Sequence, residues 1–176
     1  MQENLSSAAP LHALAARVGE FLQQKQQQIC TAESCTGGGL AASITEIAGS
    51  SAWFECGFIT YSNAMKTKLL GVPPEVFTQF GAVSGECVAW MAAGALDASA
   101  AHIAVAISGI AGPSGGTPEK PVGTVWIAWR FRADAQQPAA QSRLHVQHFL
   151  FTGDRAAVRG EAVAAALTGV LTLLAE

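Results

Sequence analysis

Three features of the 176-residue chain predict a three-layer α/β/α sandwich on a mixed, mostly parallel five-stranded sheet with one antiparallel strand. Between Gln28 and Ser108, apolar runs of strand length alternate with stretches of helical periodicity, the pattern of helix-linked parallel strands. The run "HIAVAIS", 102–108, is continuously apolar, as a strand covered on both faces must be. The last two apolar runs, Val122 to Phe131 and Arg143 to Phe151, follow connections with no helical pattern. The fourth strand should therefore run against the first three, and the fifth should return.

Each element has its own signal. Pro10 to about Gln27 places Leu11, Leu14, Val18, Phe21 and Leu22 on one helical stripe and ends in a polar "QQKQQQ" segment suited to the surface. A short strand over Gln28 to Glu33 leads into a helix from Gly37 to about Ile47, closed by "GSS" at 49–51. Phe54 to Tyr61, rich in aromatic and β-branched residues, reads as the second strand. Helical stretches near 63–70 and 84–98 are parted by "GVPPE" at 71–75. A final helix begins near Asp154 and buries Val163, Leu167, Val170 and Leu174. No repeat or linker divides the chain, so residues 1–176 are expected to form one domain.

Composition narrows the function. Half of the residues are hydrophobic and 13% are charged, enough apolar surface for a core without disulfides. A net charge of −3 with no basic run lacks the footprint of a nucleic-acid binder. Cysteines at 30, 35, 56 and 87 have neither CxxC spacing nor a dense disulfide pattern, as in a reduced, cytoplasmic protein. The start, "MQENLSSAAPLHAL", has no basic n-region followed by an apolar h-region, and no run of about 18 apolar residues suggests a membrane span. The four tryptophans, 53, 90, 126 and 129, read as core or subunit-contact residues rather than base-stacking platforms.

Three clusters fall where open α/β sheets place ligands, beyond the carboxyl ends of parallel strands. In "TAESCTGGGL", Thr31 to Leu40, Ser34 stands immediately before a helix, and the N–H groups of Thr36, Gly37 and Gly38 could bind an anion or the oxyanion of acyl transfer. The same stretch is equally consistent with Ser34 capping the helix while the glycines allow close packing. It is not GxGxxG, and no GxxxxGK[ST] occurs. In "TYSNAMK", Thr60 to Lys66, Tyr61 and Lys66 lie at the neighbouring strand end, within reach of Ser34. No histidine lies near either motif, so a lysine base with a tyrosine relay is the acid–base pair available. Lowering a lysine from about 10.4 to roughly 7–8 costs its charged form about 4 kcal/mol, which burial or a neighbouring cation must supply. An isolated lysine in the first turn of a helix is also commonly just exposed. The third cluster, "SGIAGPSGGTPEKPVGT", Ser108 to Thr124, is a shaped loop that either walls a pocket, with Lys120 as a phosphate contact, or simply reverses the chain. Arg155 and Arg159 in "TGDRAAVR" could hold a phosphate or pair with Asp154 and Glu161. No His, Cys, Asp or Glu group has the spacing of a metal site.

Taken in order, "TAESCTGG", "IAGSSAWFECGFITYSN", "KLLGV", "GAVS", "ISGIAGPSGG", "KPVGTVW" and "GDRAAVR" resemble the CinA C-terminal domain family, nearest its stand-alone nicotinamide mononucleotide deamidases. The likeness covers nearly everything from Thr31 to Arg159. It implies an α/β/α sandwich with one antiparallel strand, and a cytoplasmic amidohydrolase without metal or other cofactor. Such an enzyme converts nicotinamide mononucleotide and water to nicotinate mononucleotide and ammonia. It further implies a small-molecule pyridine nucleotide as partner, no nucleic acid or membrane, and assembly as a dimer or higher oligomer. The family's catalytic serine, tyrosine and lysine fall on Ser34, Tyr61 and Lys66. Substrate contacts are expected from Thr36, Gly37, Gly38, Asn63, Ser108, Gly109, Gly112 and Arg155, with the residue that holds the phosphate left open. Two departures bear on pocket charge: Ala64 and Met65 stand where relatives often carry Glu then Ala, and Cys56 replaces an arginine. The large N-terminal domain of full-length CinA proteins has no counterpart here, so nothing of its activity carries over. A non-catalytic nucleotide-binding or interaction domain, linked to competence or DNA-damage responses, is the alternative; a salt-bridged Lys66 facing away from Ser34 would favour it.

Overall fold

The computed structural model describes residues 8–132 and 142–175. The extreme N-terminal residues 1–7, part of the stretch read above for a leader, and most of the connection between the last two strands lie outside the described residues. Five strands, β1 (Ile29–Glu33), β2 (Phe54–Ile59), β3 (Ile103–Gly109), β4 (Thr124–Phe131) and β5 (Arg143–Leu150), form one sheet in the order β2-β1-β3-β4-β5. β1 pairs parallel with both β2 and β3, while β4 is antiparallel to β3 and to β5. Four strands thus point one way and β4 the other, as the connections predict.

Helices cover both faces. Helices α1 (Ala8–Gln24), α2 (Gly39–Thr45) and α6 (Arg155–Leu174) lie on one side; α3 (Asn63–Leu70), α4 (Pro74–Gln79) and α5 (Gly85–Asp97) lie on the other. Strand alternation divides the core between them. Ile29, Ile103, Val105, Ile107, Val125, Ile127 and Trp129 face the first layer, and Cys30, Ala32, Ala104, Ala106 and Ala128 face the second. The alanine-rich face lets α5 approach the sheet closely. α6 is 20 residues long and apolar enough, by length and composition, to cross a membrane, although Arg155, Arg159 and Glu161 interrupt its apolar run. Half of that window is buried, with Val163, Leu167 and Val170 in the core, which accounts for its hydropathy.

Several boundaries differ from expectation, the first helix ending at Gln24 and the fourth strand starting at Thr124 among them; three others have a clear local reason. "GVPPE" does not merely separate two helices: Pro73 caps and Pro74 opens the short α4, because a proline at the first helical position gives up no hydrogen bond. α2 starts at Gly39 instead of Gly37, since Gly37 and Gly38 take left-handed φ values of 59° and 94°. β2 ends at Ile59, so Thr60 and Tyr61 have already left the strand. Of the tryptophans, Trp53 and Trp129 are buried, Trp126 is half-buried, and Trp90 is exposed on α5.

Candidate active site

The parallel register brings three strand ends together. Glu33, the last residue of β1, lies opposite Ile59 of β2 and Ile107 of β3. Its carbonyl accepts the Thr60 N–H at 2.9 Å, and the Ser34 N–H donates to the Ile107 carbonyl at 3.0 Å. Ser34 and Thr60 therefore leave the sheet side by side, next to Ser108 near the end of β3. Beyond Ser34 the chain turns tightly, with the Gly37 N–H donating to the Ser34 carbonyl at 3.0 Å. The Glu33 carboxylate, fully buried, reaches forward and accepts from Thr36 Oγ1 at 2.6 Å and from the N–H groups of Gly38, Leu40 and Ala41 at 2.9–3.1 Å. From the far side, Arg159 donates to the Thr36 carbonyl at 2.8 Å.

Lys66 comes from the opposite layer. Ser62 caps α3 by accepting the Met65 N–H at 3.2 Å, and this fixes a helix whose fourth residue is Lys66. Its side chain is 1% exposed. Nζ lies 2.7 Å from the Thr60 carbonyl, 3.3 Å from the Tyr61 carbonyl and 3.0 Å from Ser34 Oγ. Burial lowers its pKa from the ordinary lysine value of 10.5, because the ammonium has lost its water. The partner set serves both protonation states, and burial shifts the balance toward the neutral amine. Two carbonyls can only accept, so they take two of its N–H bonds; Nζ donates the third to Ser34 Oγ as an ammonium, and as a neutral amine it turns its lone pair to the Ser34 hydroxyl. Among the described residues no carboxylate pairs with Lys66, and it does not face away from Ser34. The arrangement that would favour the non-catalytic alternative is absent from these residues.

A cleft of about 220 Å³ opens over this pair, lined by Ser34, Cys35, Tyr61, Asn63, Lys66, Ala82, Val83, Ser108, Gly109, Ala111 and Arg155. Tyr61 stands at its rim, 64% exposed, and its hydroxyl accepts from Arg155 at 3.3 Å. Arg155 also donates to the Gly112 carbonyl at 2.8 Å. Both partners are neutral oxygens, so among the described residues no carboxylate offsets its charge. Asp154 instead caps α6 by accepting the Ala157 N–H at 2.9 Å. Burial pushes the Cys35 thiol up to about 11.

Most of the residues singled out by sequence converge here. Ser34, Lys66, Tyr61, Asn63, Ser108, Gly109 and Arg155 line the cleft, and Gly112 anchors Arg155. The Tyr61 hydroxyl meets Arg155 and makes no hydrogen bond with Lys66 or Ser34; its carbonyl is what touches Lys66. Thr36, Gly37 and Gly38 are committed internally. The Thr36 hydroxyl and the Gly38 N–H serve Glu33 and the Gly37 N–H serves the Ser34 carbonyl, because the turn needs those donors to hold its shape; of the three expected N–H donors only that of Thr36 has no oxygen partner among the described residues. Among the described residues the N–H groups of Cys35 and Thr36 donate to no oxygen. Lys120 is engaged as well, donating to the Phe80 and Val83 carbonyls at 2.7 and 2.8 Å, so it braces the cleft wall. Sequence reasoning missed Glu33 and the Ala82–Val83 wall; an acid closing a buried strand just before a glycine-rich helix start was the available signal. A larger cleft, about 450 Å³, lies between β5 and α6, but it holds none of these groups.

Comparison with known proteins bears on the family and the fold. The model of the family described as the CinA C-terminal domain matches residues 11–174. The nicotinamide-nucleotide amidohydrolase PncC of Pseudomonas putida is 54% identical over 164 residues, covering 93% of this chain and 97% of that protein. The PncC of Escherichia coli K12 is 51% identical over 157 residues, 89% of this chain and 90% of its own. Among solved structures, a CinA superfamily protein from Klebsiella pneumoniae superposes with a TM-score of 0.85 at 41% identity, covering 94% of this chain and 98% of that one.

Proposed function

As the chain belongs to the CinA C-terminal domain family, we propose that it is a nicotinamide-nucleotide amidase that uses Ser34 as nucleophile and Lys66 as base. The observation that carries this reading is the buried Lys66 amine, 3.0 Å from Ser34 Oγ with its other two bonds taken by carbonyls. The identity to PncC proteins across nearly their whole length supports the substrate class. Ser34 Oγ adds to the carboxamide carbon of the substrate while its proton passes to Lys66 Nζ. In this scheme the N–H groups of Cys35 and Thr36, which donate to no oxygen among the described residues, turn from the Cys35 sulfur to meet the tetrahedral oxyanion. Lys66 then returns the proton to the amide nitrogen, ammonia leaves, and an ester to Ser34 remains. Water, losing its proton to the neutral Lys66, adds to that ester; as the bond to Ser34 Oγ breaks, Lys66 returns the proton to Oγ and the carboxylic acid product is released.

At about 220 Å³ the cleft is smaller than the roughly 300–1,000 Å³ of sites that enclose a whole ligand. It suits the carboxamide-bearing ring, leaving ribose and phosphate at the rim. Arg155 stands there with an uncompensated charge and is the phosphate partner in this scheme, and the exposed Tyr61 orients it. The substrate is thus a small pyridine nucleotide, and the activity belongs to cytoplasmic pyridine-nucleotide salvage in a homo-oligomeric enzyme. An ammonia-release assay against a panel of pyridine nucleotides tests the reading. Release from nicotinamide mononucleotide is expected, and no release from any amide in the panel would refute it.

A further inference from the structure

We propose that Glu33 is the positioning residue of this site, holding the turn that presents Ser34 to Lys66. The inference rests on Ser34 being the nucleophile. Glu33 is fully buried, and its main chain is locked between β2 and β3. Its carbonyl holds the N–H of Thr60, whose own carbonyl holds Lys66 Nζ. Its carboxylate holds the other half of the pair. Oε2 accepts from Thr36 Oγ1 and the N–H groups of Gly38 and Leu40, and Oε1 accepts from Ala41. One side chain therefore spans the whole segment on which Ser34 sits, and the same residue's backbone locates the lysine.

A cap for α2 alone would not need this arrangement. The capping position is Gly38, which has no side chain to offer, and a short Ser or Asp there would satisfy the first N–H groups of the helix locally. The carboxylate instead reaches from five residues upstream, across Ser34. With Gly37 and Gly38 both at positive φ, the turn has little intrinsic preference for one shape, so its geometry depends on what it is bonded to. The carboxylate also claims the Gly38, Leu40 and Ala41 donors, so the turn's N–H groups without an oxygen acceptor are those of Cys35 and Thr36, which lie against the Cys35 sulfur.

The test compares Glu33→Gln and Thr36→Val with the parent, reading kcat, KM, melting temperature and the rate at which a fluorophosphonate labels Ser34. Gln preserves volume and can keep three donors on its single oxygen, but its amide then faces the Ala41 N–H. Thr36→Val removes only the 2.6 Å bond. Glu33→Gln should lower kcat and the labelling rate together, by about 10- to 100-fold, with KM within about threefold, as misplacement of a reacting group requires. A variant that melts lower yet labels and turns over at the parent rate would make Glu33 only a helix cap and overturn the proposal. If Glu33→Gln does not fold, Thr36→Val decides, since unchanged labelling there overturns it equally. Loss of labelling in both variants of a protein that deamidates no pyridine nucleotide would sustain the positioning role and remove the substrate. A parent whose Ser34 resists the probe would remove its premise.

Discussion

Lys66 Nζ lies 3.0 Å from Ser34 Oγ although the two residues are 32 apart in sequence and one follows a strand of the sheet while the other comes from a helix packed on it. Parallel pairing of β1 and β2 makes the meeting possible, because both strands end at the same edge and each feeds a helix there. Burial then does chemical work. A solvated lysine beside a serine is an ammonium and cannot accept a proton, whereas burial shifts this one toward the neutral amine that can.

The lowered pKa of Lys66 gives turnover a defined pH dependence. Activity requires the neutral amine, so it should rise with pH through a limb below 10.5 and be lost as pH falls through that limb. Lys66→Arg keeps a positive charge that cannot be shed near neutral pH and should lose at least about 100-fold in kcat. Stability follows the same sign. Between its folded pKa and 10.5 the folded chain binds fewer protons at this residue than the unfolded chain, so stability rises with pH there. Lys66→Met should flatten that slope in denaturant titrations run at several pH values. An arginine variant with full activity would remove Lys66 from proton transfer.

Cys35 should prove inert despite its place beside the nucleophile. A thiol pushed up to about 11 is thiolate in only about one molecule in ten thousand at pH 7. Native protein should resist iodoacetamide at Cys35, and Cys35→Ala should turn over within about threefold of the parent. Rapid alkylation at this position with parallel loss of activity would contradict the assignment.

Arg155 and Tyr61 should act on binding more than on chemistry. Losing a charged hydrogen bond to phosphate is worth about 1.5–3 kcal/mol, so Arg155→Met should raise KM for the nucleotide about 10- to 100-fold. Its effect on a substrate lacking the phosphate should be small. Because the Tyr61 hydroxyl bonds to Arg155 and not to Lys66, Tyr61→Phe should cost far less in kcat than Lys66→Ala. A Tyr61→Phe variant as impaired in kcat as Lys66→Ala would restore the hydroxyl to the proton path.

Packing of α5 against α3 permits a test of the fold independent of chemistry. A Cβ on Gly94 would sit 1.9 Å from the Leu70 carbonyl oxygen, a backbone atom that cannot swing aside. Gly94→Ala should cost at least about 2 kcal/mol. That corresponds to a fall in Tm of roughly 4–8 °C for a chain of this size. Unchanged Tm would mean that the two helices pack less tightly than described.

The sheet was legible because its signals are local. Continuous apolar runs mark β1 and β3, and the absence of helical periodicity before β4 and β5 gives their directions. Ser34, Lys66 and the cleft edge followed from strand ends alone. What escaped depends on where side chains point after a turn. That Glu33 would fold forward onto α2 and occupy donors assigned to an oxyanion cannot be read from spacing, since it follows from two left-handed glycines acting together. Nor does sequence say that Lys120 turns back to brace Phe80 and Val83, a contact spanning about forty residues. α4 was hidden by prolines that usually end helices and here begin one.

The central claim, that Ser34 is the nucleophile activated by Lys66, is tested most directly by Ser34→Ala, measured for both ammonia release and nucleotide binding. Binding matters because the hydroxyl sits on a turn whose collapse would also abolish activity. Turnover of nicotinamide mononucleotide should fall by at least about 1,000-fold, while calorimetry still registers the nucleotide with an affinity near that of the parent. Ammonia release at the parent rate from folded Ser34→Ala would show that the reaction does not pass through this hydroxyl.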